Sequence, residues 1–233
     1  MKAISSMATR HVLADLTAAA AAQRLARVDV ESVGGVDAAE RVAAGEAFDL
    51  VFLAAGSMSS LAAEGHVDAA TVTPLVLSQV AVAVPSGSAE QATRPDGPAF
   101  ADADGLRDAL RDATRIGYST GPSGTALVKM IEDWGMSSNV GNRLVQARPG
   151  VPVARALAEG EVDLGFQQLS ELVGQPGVRI LGVMPDDCAI DTVFFGGVAT
   201  ASVDQARARK VLNFFASASV APIKVRHAFG VPA

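Results

Sequence analysis

Cysteine occurs once in these 233 residues, at Cys188, which excludes an internal disulfide and a cysteine-built metal site. Histidine is almost as rare. His11, His66 and His227 lie in separate segments without the spacing of metal ligands, so no metal is expected. No apolar run reaches the 18 residues needed to span a bilayer, and the alanine stretch 18–22 is broken by Gln23 and Arg24, so no membrane insertion is expected. There is no Lys/Arg run, and the formal net charge of −6 argues against a nucleic-acid surface. Aromatics are only 5% of the chain, which leaves Ala, Val and Leu to build the core, as suits helices packed on parallel strands. With 49% hydrophobic and 19% charged residues there is enough apolar material for a folded core.

The amino terminus lacks something too. Lys2 leads almost at once into Ile4-Ser5-Ser6, with no apolar stretch of signal-peptide length before the first structured segment. As written, the chain therefore reads as cytoplasmic. A chain whose signal peptide had been removed and replaced by Met1 would read the same, and it would be periplasmic.

What is present is an alternation of short β-like runs with helical stretches, the pattern of parallel sheets with crossover helices. Strands are expected at 2–5, 28–32, 49–54, 76–84, 115–118, 143–146, 162–166, 178–184 and 192–199. Helices are expected at 10–27, 36–44, 58–64, 103–113, 123–134, 151–159, 204–216 and 218–229. The long run 76–84 gives way to Pro85-Ser86-Gly87 and a polar stretch ending at Pro98, read as a crossing between lobes. The chain is expected to return between 178–184 and 192–199. This makes a discontinuous first lobe of residues 1–80 and 190–233, with 81–189 as the second.

Four loops follow strands, open helices and are rich in Ser, Thr or Gly. They are Ser5-Ser6-Met7-Ala8-Thr9-Arg10, Gly56-Ser57-Met58-Ser59-Ser60, Ser119-Thr120-Gly121-Pro122-Ser123-Gly124-Thr125 and Ala147-Arg148-Pro149-Gly150. Ligands of open α/β sheets lie beyond the carboxyl ends of the strands, where helix N-termini offer free N–H groups and partial positive charge to an anion. Any one such loop taken alone is better explained as an ordinary N-cap. Four divided between two lobes can surround a single ligand. The glycines at 121 and 124 do not form a nucleotide-binding motif, because the Gly-Lys-Ser/Thr ending is missing.

Arg10 and Arg148 are the arginines of these loops, and a guanidinium fork suits a carboxylate; a solvated surface pair is the competing reading. Gln167, Gln168, Ser170 and Glu171 follow the strand 162–166 and are expected at the same cleft, with a hinge or capping role as the alternative for the glutamines. His11 stands at the edge of the first loop. No nucleophile elbow and no Ser/His/Asp order is visible, so any catalysis would be acid–base work in a binding cleft.

At these loops the chain resembles the type II periplasmic binding proteins, in particular the molybdate-binding branch. The resemblance is carried by Ile4-Ser5-Ser6-Met7-Ala8-Thr9-Arg10, Ala47-Phe48-Asp49-Leu50-Val51-Phe52-Leu53 with Gly56-Ser57, Ile116-Gly117-Tyr118-Ser119 with Gly121 and Gly124, and Gly160-Glu161-Val162-Asp163-Leu164-Gly165-Phe166. It implies a two-lobed α/β fold whose lobes, each a mainly parallel sheet flanked by helices, close on one small anion, without a cofactor, and an ABC-transporter permease as partner if the chain is exported. Two departures shift the expected ligand from molybdate to an organic carboxylate. Gln167-Gln168 stands where molybdate binders carry Tyr, and Arg10 adds a charge that a tetrahedral oxyanion held by neutral donors does not need. A subgroup of this superfamily resembles aconitate isomerase.

The expected ligand-binding residues are Ser5, Ser6, Thr9, Arg10, Gly56, Ser57, Ser59, Ser119, Gly121, Ser123, Gly124, Arg148, Gln167 and Gln168. Two functions stay open beside a less supported sensor domain: a receptor for a small anion, and a cofactor-free isomerase of a di- or tricarboxylate. In the second, Glu171 or His11 would be the base and Arg10 would stabilise developing negative charge.

Overall fold

The chain begins β1 (Lys2–Ser6), α1 (Arg10–Ala22), β2 (Asp29–Val33), α2 (Gly35–Ala43), β3 (Leu50–Ala54), α3 (Ala55–Ala63) and β4 (Thr73–Pro85) in the computed structural model, which describes residues 1–88, 97–148 and 151–232. It continues with α4 (Ala103–Asp112), β5 (Ile116–Tyr118), α5 (Pro122–Asp133), α6 (Ser137–Val140), β6 (Leu144–Gln146), α7 (Val153–Ala158), β7 (Leu164–Gln168), α8 (Leu169–Leu172) and β8 (Val178–Val183). The last elements are β9 (Asp191–Val198), α9 (Gln205–Ala216) and α10 (Ala221–Arg226). Two units result, one of Met1–Ser78 with Thr192–Ala233 and one of Gln79–Asp191, the chain passing from the first to the second within β4.

In the first unit β1 pairs in parallel with both β2 and β3, and β9 runs antiparallel to β3. Period-2 alternation decides which side chain goes to which layer. Leu50 and Phe52 of β3 enter a core with Val12, Leu13 and Leu16 of α1 and Val211, Leu212 and Phe215 of α9. Val51 and Leu53 point to the other face, against Ala38 and Val42 of α2 and Met58 and Leu61 of α3. A strand apolar on both faces is what a sheet covered on both sides requires.

The second unit follows the same rule. β5 lies parallel to β6 and β7, while β4 runs antiparallel to β7 and β8. Leu164 and Phe166 of β7 pack with Leu106 and Leu110 of α4 and Leu127 and Ile131 of α5. On the opposite face α7 packs through Val153 and Leu157. Two glycines in register, Gly117 and Gly165, let it approach: a Cβ at Gly165 would stand 2.8 Å from Leu157 Cδ1 and 2.9 Å from Val153 Cγ1.

The strand and helix positions follow the periodicity closely, with informative differences at ends. The helix expected over 10–27 stops at Ala22, because Arg24 turns left-handed (φ 58°) and the Leu25 N–H donates back to the Ala20 carbonyl, 3.0 Å. The helix expected from residue 58 starts at Ala55, which puts Gly56 and Ser57 in its first turn. β7 extends through Gln168, so Gln167 and Gln168 are strand residues rather than loop. The expected helix 218–229 is a 3-10 turn, Ala218–Val220, followed by α10. The short helices α6 and α8 were not anticipated. Part of the polar stretch after Pro85, and Pro149-Gly150 of the fourth loop, lie outside the described residues.

Candidate functional site

Because β2, β1 and β3 are parallel neighbours, the three loops that leave their carboxyl ends lie along one edge of the first unit's sheet. The first loop is internally braced. Ser5 is fully buried and its Oγ shares a hydrogen bond with Ser32 Oγ at 2.7 Å. Ser6 Oγ accepts from the Ala8 N–H (3.2 Å), and Thr9 Oγ1 donates to the Ser6 carbonyl (3.1 Å). This tight turn sets Arg10 and His11 at the start of α1, both exposed. Among the described residues the Arg10 guanidinium has no carboxylate or carbonyl partner. By contrast Arg41, Arg107, Arg111, Arg155, Arg209 and Arg226 all form ion pairs. In the third loop Gly56 and Ser59 are exposed and Ser57 half-buried, and neither hydroxyl has a partner among the described residues.

The loop after β2, Gly34-Gly35 at the start of α2, was missed by the sequence reading, which looked for hydroxyls. Its signal was the Gly-Gly pair directly after a strand. Gly35 adjoins Ser6, where a Cβ would lie 4.0 Å from the Ser6 Cβ.

In the second unit the parallel strands β6, β5 and β7 gather another three loops at one edge. Ser119 and Ser123 hydroxyls lie 3.1 Å apart at the start of α5, with Ser123 buried. Gly124 is required there, since a Cβ would collide with the Ser119 carbonyl. Gly121 is the uncapped N-cap of α5, and its carbonyl accepts from the Gly124 N–H at 3.0 Å. Arg148 is exposed beyond β6 without an ion pair among the described residues.

At β7 the two glutamines differ. Gln167 is buried and fully employed: its Oε1 accepts from the Ala154 N–H of α7 (3.2 Å) and its Nε2 donates to Glu171 Oε2 (2.5 Å). Gln168 is buried and also engaged. Burial pushes the Glu171 carboxyl above the ordinary carboxylate range, against the Gln167 hydrogen bond, which lowers it. Beside it, Ser170 Oγ is the one solvent-sealed side-chain polar atom without a hydrogen-bond partner among the described residues.

α1, α3 and α5 begin without a side-chain cap, while backbone carbonyls take the Arg10 N–H (Met7) and the Gly124 N–H (Gly121). α4 and α9 are capped by carboxylates instead: Asp102 accepts from Gly105 N–H at 2.9 Å and Asp204 from Arg207 N–H at 3.0 Å. A carboxylate cap would compete with an anion, and at α1, α3 and α5 no side-chain cap is present. No group of His, Cys, Asp and Glu among the described residues is arranged to hold a metal. No described helix is long and apolar enough to cross a membrane.

Two α/β units, each with hydroxyl-rich, uncapped helix starts at strand ends, have the architecture of a solute-binding protein. Residues 1–230 match the family of bacterial extracellular solute-binding proteins, and the chain belongs to that family. The fold matches the periplasmic molybdate-binding protein of Azotobacter vinelandii over the full length of both chains, with a TM-score of 0.75 and 18% identity. It also matches Peb3 of Campylobacter jejuni, in a structure with L-phospholactate bound, over 98% of both chains (TM-score 0.71, 13% identity). In sequence the chain is 31% identical over 181 residues to aconitate isomerase from a Pseudomonas species, covering 78% of this chain and 66% of that protein, a little under two thirds of its length.

Proposed function

We propose that this chain is a binding protein for a small organic carboxylate, paired by Arg10. The state of Arg10 carries the reading: an exposed guanidinium at the start of an uncapped helix, without an ion pair among the described residues. A tetrahedral oxyanion is satisfied by hydroxyls and N–H groups alone, and cationic groups at its site would be surplus. A carboxylate uses the planar fork of Arg10. Within the same unit Ser57 and Ser59 supply neutral donors at the uncapped start of α3, near Gly56; in the second unit Ser119 and Ser123 are hydroxyl donors at the start of α5, beside Gly121 and Gly124. Ser5, Ser6, Thr9, Gln167 and Gln168 act mainly as braces, since the structure already employs their side chains. The organic anions in the names of Peb3's complex and of aconitate isomerase support this reading. The family description favours export over the cytoplasmic reading, with an ABC-transporter permease as partner.

The test is calorimetry with molybdate, sulfate, succinate, citrate and trans-aconitate. A carboxylate is expected to bind, and Arg10→Ala to weaken it by about 1.5–3 kcal/mol. Tight molybdate binding with no carboxylate response refutes the reading.

A second reading is a cofactor-free isomerase, favoured by the similarity to aconitate isomerase and by the half-buried Glu171 carboxyl, whose pKa is raised by desolvation. Glu171 would remove a proton from a carbon beside a carboxylate and return it to another carbon of the same allylic system, so no oxidant or reductant is consumed. His11, exposed and nearer Arg10 in sequence, is the other candidate base. Proton NMR of trans-aconitate in deuterated water separates the two functions: deuterium uptake or cis–trans conversion marks an enzyme, and bound but unchanged ligand marks a receptor.

A further inference from the structure

Large apolar side chains are rarely exposed in this chain, and two of them stand on adjoining loops at the proposed site. Met7 is 47% exposed directly after Ser6, and Val36 is 72% exposed directly after Gly35. The loops are neighbours because β1 and β2 pair in parallel with Ser6 opposite Val33, and because Gly35 adjoins Ser6. Both residues therefore flank the turn that presents Arg10. In the second unit, the exposed large apolar residue among those described is Val173, immediately after α8 at the carboxyl end of β7. A single exposed aliphatic residue is ordinary on any surface. Two on loops leaving adjoining strands, one of them in the turn that precedes the unpaired Arg10, offer a ligand hydrocarbon as well as charge, and bare oxyanions use only the charge.

We infer that Met7 and Val36 are specificity residues that take the hydrocarbon part of the ligand, so the preferred carboxylate carries an alkyl or similar carbon chain. The inference rests on the carboxylate reading above and narrows it.

The probes are succinate, ethylsuccinate and butylsuccinate, which share two carboxylates and differ only in hydrocarbon. Each fully buried methylene strengthens binding by about fourfold, so with partial burial butylsuccinate should bind roughly tenfold more tightly than succinate. In the double variant Met7→Ser/Val36→Ser that ratio should fall to about twofold. Val203→Ser is the control. Val203 is 99% exposed beyond β9, which is antiparallel to β3 and leaves the sheet at its opposite edge, so this variant should keep the wild-type ratio. Thermal unfolding of each variant confirms that it folds. A flat series in the wild-type protein, or an unchanged ratio in the double variant, overturns the inference while leaving the carboxylate reading intact. Failure of all three probes and of the other carboxylates, with molybdate bound, overturns both.

Discussion

Lys224 offers the sharpest test of the structure's energetics, as a lysine side chain only 2% exposed. It lies in α10, which follows directly on Val220 of the first unit's core. Its Nζ has no ion pair or hydrogen bond among the described residues. It keeps some solvent contact, because among the described residues only Ser170 Oγ, in the other unit, is both sealed from solvent and unpartnered. Burial alone pushes its pKa below the ordinary 10.5. Lys224→Met keeps the buried hydrocarbon stem and removes the desolvated charge. Replacing buried charge by a hydrophobe of similar volume gains about 1–4 kcal/mol, and the residual solvent contact puts this site at the low end, about 1 kcal/mol. For a chain of this size that raises Tm by roughly 2–4 °C. The sign with pH follows from linkage. A lysine whose folded pKa is depressed binds fewer protons folded than unfolded, so its penalty is full below the folded pKa and gone above the unfolded value. The Tm advantage of Lys224→Met should therefore be present at pH 7 and shrink as pH approaches 10.5. Lys224→Arg, which has no accessible neutral form, should be destabilising at both pH values. Differential scanning calorimetry at the two pH values decides it. A loss of stability in Lys224→Met at pH 7, or a gap that does not narrow with pH, refutes the reasoning.

Glu171 gives the mirror case. Its folded pKa is raised, so its ionised form is penalised above the ordinary value of 4.5, and Glu171→Gln should raise Tm at pH 7 but not at pH 4, with the introduced amide oxygen still able to accept from Gln167. Equal effects at both pH values would contradict the burial argument. Two glycines in helical first turns should respond oppositely to alanine. Gly56 has nothing within 4 Å of a Cβ, so Gly56→Ala should gain up to about 1 kcal/mol by helix propensity. At Gly124 the Ser119 carbonyl blocks the Cβ, so Gly124→Ala should lose about 1–3 kcal/mol in urea unfolding despite that propensity.

Much of the secondary structure was legible because the two periodicities are strong here. Leu50-Val51-Phe52-Leu53 is apolar on both faces, which only a covered strand tolerates, and Gly45, Gly65, Gly135 and Gly160 end helices or their turns with the positive φ that glycine accepts. The end of α1 was not legible. Alanine, arginine and leucine continue a helix pattern past residue 22, and only the left-handed turn at Arg24 breaks it. Nor were the extra residues of β7, since Gln167 and Gln168 have no strand signature and are held there by the bonds of Gln167 to α7 and α8 and by pairing with β4.

For the candidate site the division is similar. By itself the sequence determined that hydroxyls, glycines and two arginines follow strands and open helices, because those residue types and positions are local properties. Only the tertiary structure decided which of them are spent. Ser5 pairs with Ser32, 27 residues away, and Gln167 joins the start of α7 to Glu171. Each hydrogen bond formed inside the fold removes a donor or acceptor from any ligand, and such partners are chosen by strand order and helix placement, which no single segment encodes.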